Sequence, residues 1–148
     1  MSSLVVAAVP VDDVLALRGR VLRASTPSAD PRLAEDAEPG AFHLAGRLGE
    51  ALVACVSFSP QATALRPGVA AWRFRAMAVD PPRQGAGLGR VILADGISRV
   101  RALGARVVWA HARDSALGFY ESMGMDVMGD GFVSADTALP HHVVVLDL

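Results

Sequence analysis

Apolar positions recur along this chain with two different periods, and the switches between them mark out its elements. Leu4 to Val9 is a short Val-rich run closed by Pro10, the pattern of a strand. Val14, Leu17 and Val21 then recur at helical spacing. Asp12 and Asp13 would fill the first turn, where the helix dipole favours negative charge, and Arg18, Arg20 and Arg23 follow; this predicts a helix ending near Ser25. Thr26 to Gly40 holds three prolines and an acidic cluster with neither period, so a loop or a short irregular helical piece is expected. Two apolar runs, Ala41 to Leu48 and Ala51 to Ser59, are divided by Gly49-Glu50 as in a hairpin.

After the loop Pro60 to Gly68, Ala70 to Val79 alternates. The alternation predicts a strand with Trp72, Phe74, Ala76 and Ala78 on one face and Arg73, Arg75, Met77 and Val79 on the other. Asp80-Pro81-Pro82 ends it, because two prolines cannot donate to a ladder. A Gly-rich turn, Gly85 to Gly89, opens a helix to about Leu103, with Ile92, Leu93, Ile97 and Val100 on the core face and Gly104 as the C-cap. Arg106 to His111 reads as a fifth strand. Asp114 or Ser115 would cap a second long-range helix carrying Ala116, Phe119, Tyr120 and Met123 on one face, with Gly124 at its end. Runs Met125 to Val133 and Val143 to Leu148 complete a mixed-sheet α/β (α+β) domain.

Composition narrows the classes. At 148 residues, 52% of them hydrophobic, one domain over residues 1–148 is expected. The net charge is −1, and all 14 basic residues are Arg, a balance without the basic excess of a nucleic-acid groove. Cys55 is the single cysteine, so neither an internal disulfide nor a Cys-rich metal site can form, and a reducing compartment is expected. His141-His142 has no further ligand at metal spacing, so no metal is expected. No positive n-region precedes the first apolar stretch and no run approaches a membrane-spanning length; a soluble cytoplasmic protein is the expectation.

The Gly-rich turn carries the chemistry. A strand-to-helix turn rich in glycine aims several unpaired N–H groups, together with the positive end of the helix dipole, at one spot, where a phosphate fits. Arg83 or Arg90 would add charge-assisted contacts. A Walker loop is excluded by the absence of Lys; a dinucleotide fingerprint is begun by Gly85 and Gly87 but has Arg90 at its third glycine and a following strand that ends in His111, which leaves a dinucleotide-binding oxidoreductase a distant third reading.

Gln84-Gly-Ala-Gly-Leu-Gly89 instead resembles the Gln/Arg-x-x-Gly-x-Gly/Ala signature of the GNAT superfamily of N-acyltransferases. Met77-Ala-Val79 is similar to that family's fourth strand, and Ala116-Leu-Gly-Phe-Tyr-Glu-Ser-Met-Gly-Met125 to its Ala-x-x-Phe-Tyr-Glu-x-x-Gly-Phe segment. Met125 departs from the usual Phe, and Arg113 stands where many members have Asn.

The resemblance implies a GNAT-type acyl-CoA N-acyltransferase fold and transfer of an acetyl group from acetyl-CoA to a primary amine of an unidentified acceptor by direct attack. It implies that strands four and five splay around the pantetheine arm, with the backbone of Met77, Ala78 and Val79 pairing to it and the Val79 N–H polarising the thioester carbonyl. Gln84, Gly85, Ala86, Gly87, Leu88, Gly89 and Arg90 would form the pyrophosphate cradle. Arg113 and Tyr120 would complete the cofactor set, with Tyr120 as general acid toward the sulfur; Val79 and Tyr120 are the catalytic pair. A homodimer is a further family expectation. The alternative is a catalytically silent GNAT-like domain that binds acyl-CoA for sensing.

The general base stays open among His111, His43, Glu50, His141 and His142. Arg73 and Arg75 would either select an acidic substrate or lie on the open side of the sheet. The cluster Glu35, Asp36 and Glu38 would either attract a cationic amine or be solvated. Acceptor choice would sit on the loops Thr26 to Gly40, Pro60 to Gly68 and Ser134 to His142.

Overall fold

Strands β1 (Val5–Val9), β2 (Phe42–Leu48), β3 (Ala51–Pro60), β4 (Ala71–Val79), β5 (Val107–Arg113), β6 (Asp126–Val133) and β7 (Pro140–Asp147) build one sheet in a computed structural model that describes residues 3–24, 26 and 30–148. The order is β1-β2-β3-β4-β5-β7-β6, antiparallel except where β4 and β5 run parallel. Three helices, α1 (Leu15–Leu22), α2 (Leu88–Ala102) and α3 (Leu117–Ser122), cover it.

The apolar stripes decide which face each helix takes. Ile92, Leu93, Ile97 and Val100 of α2, with Tyr120 of α3, are buried against Phe58, Phe74 and Val108. On the other face Val14 and Leu17 pack on Ala45, Cys55 and Ala78. Contact on the first face is close: a Cβ at Gly96 of α2 would stand 2.1 Å from Cε1 of Phe58. Gly104, at φ 97°, ends α2 as expected, and the Ala105 N–H turns back to the Val100 carbonyl at 2.9 Å.

Several expectations are corrected. Asp12 and Asp13 lie in a 3-10 turn, Val11–Asp13, ahead of α1, which ends at Leu22; the expected end at Ser25 falls outside the described residues. The following loop carries a 3-10 turn, Ala34–Ala37. Neither Asp114 nor Ser115 caps α3 by its side chain, and Asp114 instead accepts from Nδ1 of His142 at 2.6 Å. The last strand begins at Pro140, which takes in His141 and His142.

The largest correction is in β4. Cys55 pairs with Ala78 but Ser57 pairs with Arg75, so two steps of β3 face three of β4, and Ala76 absorbs the extra residue at φ 53°. The Cys55 thiol meets the Ala76 carbonyl at 3.5 Å. Because the side-chain period of a strand is two, this bulge flips everything after it. Met77 and Val79 therefore join Trp72 and Phe74 on the α2 face, while Arg73 and Arg75 stay on the opposite face.

Candidate active site

A parallel pair that stays in register buries its edges, but β4 and β5 pair only at Ala71↔Val107, Trp72↔Val108 and Arg73↔Trp109. Beyond these three the strands part. The Asp80 N–H donates to the Val53 carbonyl at 2.8 Å, so β4 turns that residue toward β3 and Val79, one residue earlier, toward the gap. The Val79 carbonyl is taken by Nε2 of Gln84 at 3.0 Å, and strand alternation turns the Val79 N–H to that same side.

A cavity of about 250 Å³ fills the gap between the strands. Ala110 and Ala112 on β5 present only methyl groups to it, with Phe74, Met77 and Tyr120 around them. Tyr120 is only 7% exposed, and its hydroxyl bonds to none of the described residues. Burial pushes the phenol up to about 12, the Arg113 charge opposing, so it keeps its proton at neutral pH.

At the end of β4 the chain passes through a 3-10 turn, Pro81–Arg83, into the Gly-rich turn. Gly85 and Gly87 have φ of 86° and 81°, and a Cβ on either would meet nothing within 4 Å. The positive φ requires glycine, and the space beyond is open to a ligand. Gly87 is the N-cap of α2, so the amides of Leu88, Gly89 and Arg90 have no intrahelical acceptor and point with the helix dipole at this opening. Gly89 has a different reason to be small, since a Cβ there would lie 3.1 Å from Cε of Met77. This cradle fits an anionic pyrophosphate. Of the two arginines named for it, Arg90 is held by Ser122 at 2.9 Å.

The opposite face of the cavity is polar. Pairing of β5 with β7 sets Arg113 opposite His141 and His111 opposite Val143, so Arg113, His111 and His141 share the face that carries Arg73 and Arg75. Phe132 stands between the two imidazoles, 4.9 Å from the ring of His111 and 5.8 Å from that of His141. Arg113 donates to the Leu22 carbonyl at 2.7 Å, which ties β5 to the end of α1.

Among the candidate bases, the structure brings only His111 and His141 to this cavity. A guanidinium can only donate, so Nη2 of Arg73 at 2.9 Å makes Nδ1 of His111 the acceptor and leaves its proton on Nε2. Burial, with the charges of Arg73, Arg75 and His141 adding to it, lowers His111 to about 4 even though its outer edge is exposed. His141 is in the opposite state. The Leu139 carbonyl, 2.8 Å from its Nδ1, can only accept, so the proton sits on Nδ1 and the Nε2 lone pair meets no donor among the described residues. His43 bonds Ser57 at 2.8 Å in a buried cluster, His142 binds Asp114, and Glu50 is exposed at the hairpin.

The acidic cluster serves the arginines. Asp36 takes two bonds from Arg18, at 2.7 and 2.8 Å, and Glu35 pairs with Arg75 at 3.3 Å, while Glu38 is exposed. Of the three loops expected to shape the cavity, the first and third line it through Pro31, Leu33, Ser134, Asp136 and Thr137; none of the loop 60–68 does.

The family model for the Acetyltransferase (GNAT) family matches residues 11–125, which takes in the splayed pair, the turn and α3. The chain belongs to the GNAT family of acetyltransferases. It is 29% identical over 124 residues to the Bacillus subtilis protein described as "Uncharacterized N-acetyltransferase YitI", covering 84% of this chain and 83% of that one. Its fold is shared with solved structures. Escherichia coli ElaA superposes with a TM-score of 0.76 at 18% identity, over 98% of this chain and 99% of that one. An acyl-CoA N-acyltransferase from Pseudomonas aeruginosa gives 0.75 at 17% identity, over 97% and 99%. The mixed seven-stranded sheet of this GNAT chain thus agrees with the expected fold class. None of its described helices is long and apolar enough to cross a membrane.

Proposed function

We propose that this GNAT domain transfers an acetyl group from acetyl-CoA to a primary amine by direct attack, with no acetylated enzyme residue on the way. The observation that carries the reading is the opening between β4 and β5. Tyr120, whose hydroxyl bonds to none of the described residues, lines the cavity there, and β4 runs on from it through Val79 to the glycine turn at the start of α2.

Acetyl-CoA, when bound, supplies the thioester. The amides of residues 85–90 hold its pyrophosphate, and the edge of Met77, Ala78 and Val79 aligns the pantetheine arm as an added strand. The Val79 N–H donates to the thioester carbonyl oxygen, where negative charge grows during attack. Nε2 of His141 accepts the proton that the amine must lose, directly or through one water. Tyr120 donates a hydrogen bond to the departing sulfur. With the phenol near 12 and an ordinary thiol near 8.5, that bond stabilises the thiolate without full proton transfer.

The test is calorimetric titration with acetyl-CoA, followed by thiol release over a panel of amines. Binding with amine-stimulated release, reduced in Tyr120→Phe, supports the reading. Binding without any stimulated release would instead indicate a silent sensing domain, and absence of CoA binding would overturn both.

A further inference from the structure

The cavity's polar face holds a buried guanidinium that no carboxylate among the described residues contacts. Arg73 is buried to 7% exposure, and its environment is unlike that of the neighbouring arginines. Arg18 has Asp36 and Arg75 has Glu35, whereas no carboxylate among the described residues pairs with Arg73. Its guanidinium lies 4.7 Å from the Trp109 ring centroid and gives one bond to His111. Nε is buried without an acceptor and Nη1 bonds to none of the described residues. Burial, with the charge of the adjacent Arg75 adding to it and that of Glu35 opposing, lowers its pKa only to about 10, so it is cationic at neutral pH. Glu35 acts on both arginines through its charge but contacts only Arg75, and Asp136, on the cavity rim, acts on Arg75.

A buried guanidinium with no carboxylate in contact is costly, and a ligand carboxylate seated against it would offset that cost. The cofactor's phosphates are poorly placed to do so. Their cradle begins after Val79, six residues along an extended strand from Arg73, or about 20 Å at roughly 3.3 Å per residue. Arg73 also stands on the face of β4 opposite Met77 and Val79, the face that carries His141 and His111. A cavity of about 250 Å³ suits a small molecule.

We propose that the acceptor is a small amine that also carries a carboxylate, with Arg73 as the anchor for that carboxylate and Arg75 beside it. This rests on the acetyl-transfer reading above. The planar fork of a guanidinium matches a carboxylate, and the anchor fixes which end of the acceptor turns toward the thioester. Arg73 binds and orients the acceptor; it exchanges no proton.

The experiment titrates CoA-loaded protein with the proteinogenic amino acids and their matched carboxamides, and measures transfer to the same pairs. Wild type should favour the carboxylate member of at least one pair by roughly 10- to 100-fold in binding, the worth of a charge-assisted bond in a desolvated site. Arg73→Gln should remove that preference while leaving acetyl-CoA affinity intact, and Arg73→Lys should keep part of it. Arg73→Gln should also unfold no earlier than wild type, since it removes a buried charge that no carboxylate contacts; an arginine needed only for packing would give a lower melting temperature. Equal transfer to carboxylates and carboxamides would overturn the carboxylate anchor and leave the acetyltransferase reading standing. Carboxylate-selective binding lost in Arg73→Gln, with no transfer to any amine, would sustain the anchor and remove the transfer reading. Absence of carboxylate preference throughout the panel overturns the anchor.

Discussion

Nη2 of Arg73 donates to Nδ1 of His111 across the mouth of the splayed strands at 2.9 Å, and this one bond fixes the tautomer of the imidazole. His111 is thereby a donor at Nε2, and His141, whose Nδ1 proton is spent on the Leu139 carbonyl, is the imidazole with a lone pair to offer. His141→Gln should lower kcat by roughly 100- to 10,000-fold, the range for a lost general base, with acetyl-CoA affinity unchanged. His111→Gln should lower kcat less than His141→Gln does. Thiol-release kinetics on both variants check this, and the reverse ranking would reassign the base.

Gly87 stands at φ 81° at the head of α2 with open space where a side chain would go. Gly87→Glu should weaken acetyl-CoA binding by 100-fold or more, because a carboxylate there repels and displaces the pyrophosphate. Gly87→Ala carries only the left-handed strain, about 1 kcal/mol, and should bind more tightly than Gly87→Glu. Calorimetry separates charge from strain.

Gly96 shows how context reverses propensity. Alanine in place of glycine inside a helix ordinarily gains about 1 kcal/mol. Here the added carbon meets the Phe58 ring at 2.1 Å, and that ring is stacked on Phe42 at 5.2 Å and cannot simply withdraw. Gly96→Ala should destabilise by about 1–3 kcal/mol, the usual cost of overpacking. Urea unfolding measures the sign directly.

Arg18, 1% exposed, depends on Asp36. Burial alone would raise the Asp36 carboxyl, but the bonds from Arg18 and the Leu33 N–H, with the charges of Arg18 and His43, outweigh it and set the group below its ordinary value. Asp36→Asn should cost about 3–5 kcal/mol, because it strands a buried cation. The double variant Asp36→Asn, Arg18→Met should recover part of that loss in thermal unfolding.

Stability should also fall with acidification across a defined window. Burial lowers His111 to about 4 from an ordinary 6.5, with Arg73, Arg75 and His141 adding to it. Burial lowers His43 as well, Asp36 opposing and Arg18 assisting. A depressed folded-state pKa means the unfolded chain takes up the proton first. The stabilisation is therefore complete above pH 6.5 and is lost as pH falls toward 4. His111→Asn should flatten this limb of the unfolding free energy against pH and leave a smaller slope from His43. An unchanged slope would show that His111 is not held neutral.

The sequence by itself determined the order of strands and helices along the chain, the glycine turn at the head of α2 and the family. Each rests on local rules that neighbours along the chain enforce, such as apolar period, proline as a terminator and glycine where φ is positive. The stripe of Ile92, Leu93, Ile97 and Val100 is legible because one helix face must be apolar wherever the helix docks. Tertiary structure alone decided the faces and partners. The bulge at Ala76 broke the alternation of β4 and separated Arg73 and Arg75 from Met77 and Val79, an extra residue that no local period reveals. Pairing of β7 against β5 brought His141 opposite Arg113, a contact between residues 28 positions apart that nothing in either segment specifies. Which histidine of the cavity keeps a lone pair, and which arginines have a carboxylate in contact, were likewise set by partners on other elements, because protonation and charge pairing depend on distance in space and not on spacing along the chain.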